Sequence, residues 1–307
     1  MAKSQELINR ILEVVPADRV LIDEPLANYT SFRIGGPADA LVLVDNEEEL
    51  ASVLKIVKAS EHILIGNGSN FLVADDGYPG IMIKLQGEFD GAEVCAEGAT
   101  VRAGGAMLLS NLSAYLTQEG LSGFEFASGI PGSVGGAIFM NAGAYGMEMK
   151  DIVKSVRLLK PDGSAIIEKS SEQMDFSYRH SAIQESGEIV LSVEFKFEKD
   201  NKDIIKDRVR ELQEKRNAKQ PVNFPSAGST FKRPASGYAA ALIDEAGLRG
   251  CSVGAAQVSE KHAGFIINTG GATANDVLEL MRHVRKVVYE KSGIMLEPEV
   301  RLINCKL

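Results

Sequence analysis

The sequence predicts an α+β fold made of more than one packed unit, on three observations. The chain has 307 residues, more than one ordinary domain holds. Strand and helix signals alternate irregularly, without the steady strand–helix–strand rhythm of a doubly wound parallel sheet. Near Asp200 the chain turns into a long charged stretch of helical character, which reads as the main boundary.

The elements follow in order. Leu7, Ile8, Ile11, Leu12 and Val15 recur at helical spacing, so residues 3–15 read as a leading helix. From Asn28 to Gly36 the chain becomes polar and Gly-rich. A strand is expected over Ala40–Val44. Asp45 or Asn46 can then cap a helix whose apolar face is Leu50, Val53, Leu54 and Val57. His62–Ile65 reads as a strand that runs straight into a Gly-rich turn, and Gly80–Leu85 as another. Strand signals resume at Val101. A helix through Leu108, Leu109, Leu112, Tyr115 and Leu116 finds its C-terminal cap in Gly120. Val153–Leu159 and Ala165–Glu168 flank Pro161-Asp162-Gly163, which predicts a β-hairpin. Ile189–Phe197 alternates as a strand does. Asp200–Lys219 is charged and helical, with Ile204, Ile205, Val209 and Leu212 as its expected inner stripe. A helix over Ala274–Tyr289, a Gly293 cap and a closing strand over Glu299–Ile303 complete the chain.

Composition narrows the function. With 45% hydrophobic and 24% charged residues the chain can bury a core of ordinary size. Its formal net charge of -9 disfavours nucleic acid and anionic membranes as partners, since both need basic surface. A small phosphorylated ligand needs only a local positive pocket and stays open. Cys95, Cys251 and Cys305 are few and dispersed, which speaks against a disulfide framework or a structural zinc site. His62, His180, His262 and His283 match no metal-ligand spacing. The polar N-terminus has no hydrophobic signal core, and no apolar run is long enough to span a bilayer, so a cytoplasmic location is expected.

Two Gly-rich segments carry the ligand argument. The first is Gly66-Asn67-Gly68-Ser69-Asn70, directly after a strand. The second runs from Ser128 and Gly129 through Pro131, Gly132, Ser133, Gly135 and Gly136. Glycines let successive N–H groups face one anion and let a flat ligand approach the main chain. Neither segment has the lysine of a Walker loop or the spacing of a dinucleotide-binding turn. Alone, each is a tight turn; two in one lobe, with hydroxyl and amide donors, bring a ligand site to even footing with that reading.

Beyond this point the residues resemble a known family, the UDP-N-acetylenolpyruvoylglucosamine reductases (MurB). The resemblance spans Asn28 to Ile303 in family order. It runs through Tyr29-Thr30-Ser31-Phe32-Arg33-Ile34-Gly35-Gly36, the two Gly-rich segments, and Asn141-Ala142-Gly143-Ala144-Tyr145-Gly146. It continues with Ser177-Tyr178-Arg179-His180-Ser181, Ala227-Gly228-Ser229-Thr230-Phe231-Lys232, His262 to Asn268, and Leu296-Glu297-Pro298-Glu299-Val300-Arg301. The resemblance implies a two-lobed FAD-binding region of the vanillyl-alcohol-oxidase (PCMH) type followed by a C-terminal α+β substrate-binding domain. The implied layout is an N-terminal helical segment over 1–28, the FAD-binding domain over 29–199 with its lobe boundary near 85–100, and the substrate domain over 200–307. The last strand, about 297–304, is expected to pack back on the FAD region. The chain resembles the short form, because the segment between Arg179 and Ser229 lacks the tyrosine-bearing insertion of the longer one.

The activity implied is NADPH-dependent reduction of an enolpyruvyl ether on a UDP-sugar, through non-covalently bound FAD, by a monomeric enzyme. Tyr29, Ser31, Arg33, Gly66, Asn67, Gly68, Ser69, Asn70, Gly129, Pro131, Gly132, Ser133, Gly135 and Gly136 are the implied FAD contacts. Hydride addition leaves negative charge on the enolpyruvyl carboxylate and its adjacent carbon, so the reaction needs a cation and a proton donor. By family match Arg179 is the cation, Ser229 the proton donor and Glu299 the third catalytic group. Glu297, two residues earlier, is an alternative register for that carboxyl. Tyr178, Lys219 and Asn268 are the implied substrate contacts, and no metal is expected.

Overall fold

The computed structural model describes residues 2–95 and 98–307. Contacts divide the chain into two compact units, both discontinuous in sequence. The first comprises Met1–Ile22, Ala40–Asn67 and Gly80–Lys215; the second comprises Asp23–Asp39, Gly68–Pro79 and Arg216–Leu307.

The first unit has two apolar cores. One is built on the parallel pair His62–Ile65 and Tyr78–Leu85, in which His62 faces Ile81 and Ile65 faces Lys84. The helix Glu47–Val57 is capped by Asn46, whose side chain accepts from Glu49 N–H. Glu47, Glu48 and Glu49 fill its first turn, where the helix dipole favours negative charge. Leu50, Val53, Leu54 and Val57, one helical stripe, join Ala40, Val42, Ile81 and Ile83 in the core. Arg19 fastens this helix with two 2.7 Å hydrogen bonds to the Glu49 carboxylate. That contact and the hydrogen bond from Asp45 N–H hold the Glu49 carboxyl below its ordinary value.

The second core of this unit lies on an antiparallel sheet ordered Ile166–Ser170, Val153–Leu159, Ile189–Lys196, Thr100–Gly104, Ala92–Val94. The hairpin turns where Pro161-Asp162-Gly163 predicts it: Gly163 adopts φ 69°, and its N–H donates to Lys160 O at 2.9 Å. The helix Leu109–Glu119 ends at Gly120 with φ 68°, the left-handed cap that a Cβ would disfavour. Leu109, Leu112 and Leu116 pack with Phe124, Phe195 and Phe197.

The second unit carries a four-stranded antiparallel sheet in the order Ser226–Ser229, Phe265–Asn268, Ala256–Val258, Ser252–Val253. The helix Ala274–Ser292 opens with a capping box between Thr273 and Asp276, and Gly293 closes it at φ 72°. Its Val277, Met281, Val284 and Val288 are buried, each worth about 1.5–3 kcal/mol of apolar transfer. Phe71–Val73 pairs in parallel with Arg301–Ile303. Phe32, Ile34 and Leu72 belong to the same core.

Two expectations need correction. The polar reading of residues 28–36 misses Phe32 and Ile34, which are 1% and 3% exposed. The helix Lys202–Lys219 forms, but of its expected inner stripe only Ile205 is fully buried, and Ile204 is 48% exposed. On that helix Arg208 pairs with Glu125 and Asp200.

Candidate active site

In the first unit the two Gly-rich segments meet. A Cβ on Gly66 would lie 2.6 Å from Ser133 Oγ, closer than real carbon contacts permit. Lys84, from the strand behind, donates to Gly66 O at 2.8 Å. Burial pushes the Lys84 ammonium below its ordinary value. Ser133 is buried and caps the short helix Val134–Phe139 by accepting from Gly136 N–H at 3.4 Å. Leu109 N–H donates to Gly132 O, while Val134 and Gly135 donate to Met107 and Gly105 carbonyls. Gly135 sits where a Cβ would be 3.0 Å from Gly105 O. Pro131 and Gly136 stay exposed at the surface of the cradle, with Gly129 and Gly132 partly so and Asn67 exposed beside them. Close packing without side chains leaves main-chain groups accessible to a flat or phosphorylated ligand.

Tyr178 and Arg179 also belong to this unit. They form the tip of a tight turn in which Ser177 and His180 exchange N–H···O bonds at 3.2 and 3.1 Å. Arg179 adopts φ 56°, a left-handed conformation that a non-glycine residue holds only under constraint. Two amides supply that constraint. Gln184 Nε2 donates to Arg179 O at 3.0 Å and to Phe139 O at 2.7 Å. Asn141, fully buried, donates to Ser177 O at 2.9 Å and accepts from Lys150 N–H. The Arg179 guanidinium lies 5.0 Å from the Tyr178 ring centroid, a cation–π distance. Gln184 and Asn141 thus join the second Gly-rich segment's helix to the arginine turn, and sequence reasoning assigned them nothing.

Ser229, Glu299, Lys219 and Asn268 lie in the second unit, with Tyr29, Ser31, Arg33 and Gly68–Asn70. Ser229 ends a strand with a register shift between Ser226 and Ser229, within which Gly228 has φ 75°. Thr230 then turns inward: its N–H donates to Gly264 O, its Oγ1 accepts from Ile266 N–H at 3.0 Å, and its carbonyl accepts from Glu299 N–H at 2.9 Å. That bond brings the Ser229 and Glu299 segments together although 70 residues separate them (299 − 229). Both residues are half-buried. Glu297 is exposed and its carboxylate lies 3.9 Å from Lys232 Nζ, so of the two carboxyls it is Glu299 that the fold partly shelters.

The FAD-contact candidates of this unit are equally fastened. A Cβ on Gly68 would fall 1.9 Å from Tyr29 O, and Ser31 N–H donates to Gly68 O at 3.2 Å. Ser31 Oγ donates to Ser226 O at 2.7 Å. Burial, then the neighbouring Glu24, pushes the Tyr29 phenol up. Arg33 is exposed at φ 55°. Ser69 is half-buried, and Asn70 donates its amide to Glu299 O at 3.1 Å. Lys219 is the exposed last residue of its helix. Asn268 is buried, with its amide committed to main-chain partners.

Comparison with known proteins gives the family. Residues 38–167 match an FAD binding domain family, and residues 220–303 match the C-terminal domain of UDP-N-acetylenolpyruvoylglucosamine reductase. The UDP-N-acetylenolpyruvoylglucosamine reductase of Clostridioides difficile (strain 630) is 48% identical over 98% of this chain and 99% of its own length. That of Caldanaerobacter subterraneus subsp. tengcongensis is 44% identical, covering 98% and 99%. The crystal structure of the Thermus caldophilus reductase superposes with a TM-score of 0.79 at 39% identity, over 91% of this chain and 97% of that one. A Phl p 4 variant, 13% identical with a TM-score of 0.50 over 63% of this chain and 44% of its own, shares the fold alone.

The fold is thus the α+β, FAD-binding arrangement of the vanillyl-alcohol-oxidase type with an added C-terminal domain, and the protein is an FAD-dependent oxidoreductase. The close-packed glycines of both Gly-rich segments, where a Cβ would collide, fit such a cofactor. Within that class, the chain belongs to the UDP-N-acetylenolpyruvoylglucosamine reductase family.

Proposed function

We propose that this protein reduces the enolpyruvyl ether of UDP-N-acetylglucosamine enolpyruvate to UDP-N-acetylmuramate, with NADPH as electron source, and that Arg179, Ser229 and Glu299 carry the chemistry at the substrate. The reaction is a step in peptidoglycan precursor synthesis. When bound by the Gly-rich segments, FAD would supply the hydride chemistry that links NADPH to the methylene carbon of the substrate.

The chain's own groups handle the charge and the proton. Hydride addition moves an electron pair onto the adjacent carbon and its carboxylate. The Arg179 guanidinium holds that carboxylate and favours the form in which charge accumulates. Ser229 gives its hydroxyl proton to the adjacent carbon, which completes the saturated product, and the serine oxygen recovers a proton from solvent before the next turnover. A serine hydroxyl is a weak acid, so it needs a partner. Glu299 assists this transfer. The bond from Glu299 N–H to Thr230 O carries the reading, because it seats the carboxyl's segment beside the residue that follows Ser229. Tyr178 and Lys219 contact the substrate, with Lys219 at its diphosphate. Tyr29 to Arg33, Gly66 to Asn70 and Gly129 to Gly136 hold FAD, mostly through main-chain groups.

The enzyme acts as a cytoplasmic monomer. Supporting the location, Cys95, Cys251 and Cys305 are free thiols, as a reducing compartment keeps them. Among the described residues no helix is long and apolar enough to cross a membrane.

Anaerobic stopped-flow on Ser229→Ala tests the assignment. Flavin reduction by NADPH stays near the wild-type rate, and turnover with the enolpyruvyl sugar collapses. An equal loss in both halves removes Ser229 from the proton-donor role.

A further inference from the structure

Hydrogen bonds in the second unit close a circuit through the proposed site. Ser31 N–H donates to Gly68 O at 3.2 Å. Two residues along, Asn70 Nδ2 donates to Glu299 O at 3.1 Å. Glu299 N–H donates to Thr230 O at 2.9 Å. Thr230 follows the strand Ser226–Ser229, and Ser226 O accepts from Ser31 Oγ at 2.7 Å, which returns to the start.

Asn268 braces this circuit from inside. It is 5% exposed. Its Nδ2 donates to Phe32 O at 3.1 Å. Its Oδ1 accepts from Gly270 N–H at 2.9 Å and Ala272 N–H at 3.0 Å. Its own N–H donates to Pro225 O at 2.9 Å. One residue therefore ties the Tyr29–Gly36 segment, the chain entering the Ser229 strand, and the turn leading to the helix Ala274–Ser292. A buried amide spent on three main-chain groups is placed to fix geometry.

We propose that Asn268 is a positioning residue, which sets the flavin-contacting segment Tyr29–Gly36 in register with the strand that presents Ser229. This rests on the FAD and Ser229 roles given above. Flavin reduction by NADPH does not need that register. Reduction of the enolpyruvyl group does, because hydride and proton must reach neighbouring carbons of one substrate.

Asn268→Asp isolates the effect. It keeps the acceptor oxygen for Gly270 and Ala272 and puts a carboxyl oxygen against Phe32 O in place of the donor; the assays run from neutral to alkaline pH, so that a carboxylate, which cannot donate, is told apart from a protonated carboxyl, which still does. In the holoenzyme, anaerobic stopped-flow measures flavin reduction by NADPH and reoxidation by the enolpyruvyl UDP-sugar. FAD titration of the apoprotein and thermal melting are read alongside. With a buried charge-dipole clash replacing a hydrogen bond, we expect reoxidation and FAD affinity to fall about tenfold, and reduction to stay within about twofold of wild type. Asn268→Ser, a milder change that shortens the side chain and brings in no charge, gives the same split at about threefold, and decides the matter if Asn268→Asp does not fold. The proposal is overturned if reoxidation is unchanged in the folded variant, or if both half-reactions fall by one factor. A wild-type apoprotein that takes up no FAD overturns the functional reading as well; a normal wild type beside an unaffected variant overturns this proposal alone.

Discussion

Thr230 joins the Ser229 and Glu299 segments, and its side chain can be changed without touching either residue. Its Oγ1 is the acceptor for the buried Ile266 N–H at 3.0 Å. Thr230 itself is 4% exposed. Valine has the same branched shape and exchanges only the hydroxyl for a methyl, so Thr230→Val orphans that N–H. An unsatisfied buried donor costs about 1–3 kcal/mol. Thr230→Ser keeps the acceptor and loses one buried methyl, about 0.8 kcal/mol. Urea unfolding of the apoprotein should therefore rank wild type, then Ser, then Val, with Val about 2 kcal/mol below wild type. Hydrogen exchange gives an independent reading at the bond itself: the Ile266 amide should lose protection in Thr230→Val and keep it in Thr230→Ser. A valine variant as stable as wild type, or a serine variant less stable than valine, would refute the reasoning.

Two further outcomes follow from other contacts. Gly68→Ala should weaken FAD binding by the apoprotein at least about tenfold, because a Cβ there meets Tyr29 O at 1.9 Å. Gly237→Ala, with nothing within 4 Å of its Cβ, should cost only the left-handed strain of about 1–2 kcal/mol and leave FAD binding alone; equal FAD affinities for the two variants would count against the cradle. His262 is half-buried, its Nδ1 accepts from Gly264 N–H at 3.2 Å, and burial lowers its pKa below the ordinary 6.5. The unfolded chain then binds the proton more readily. Its contribution is fully present above the unfolded pKa of about 6.5 and is lost as pH falls from there through the lower folded value. His262→Asn should flatten the acid side of the stability–pH curve by up to about 1.4 kcal/mol per pH unit below 6.5, and an unchanged slope would exclude the histidine as its source.

Much of the architecture was legible because local chemistry decided it. Asn46, Gly120, Gly163 and Gly293 each hold the cap or turn that their residue type favours. The 226–229 strand was not legible, since Ala-Gly-Ser reads as a turn and only pairing with Phe265–Asn268 makes it a strand. Phe32 and Ile34 were hidden among polar neighbours, and their burial depends on residues over 200 positions away. The Lys202–Lys219 stripe misled for the opposite reason: apolar spacing was present, but mostly charge pairs and solvent surround it. At the site, family likeness pointed to Arg179, Ser229 and Glu299, whereas Gln184, Asn141, Thr230 and Lys84 act by holding carbonyls and amides. No sequence motif announces a side chain whose partner is someone else's main chain.

The parallel pairing of Phe71–Val73 with Arg301–Ile303 bears on how the protein is made. On a ribosome the first strand emerges some 230 residues before the second (301 − 71). At bacterial elongation rates of about 5–20 residues per second that is a wait of roughly ten to fifty seconds. During it Phe32, Ile34 and Leu72 have none of their late partners, such as Val277, Met281 and Val300. The nascent chain therefore displays sticky surface for most of its synthesis, and a chaperone that shields those early segments should raise the yield of native enzyme more than one acting after release.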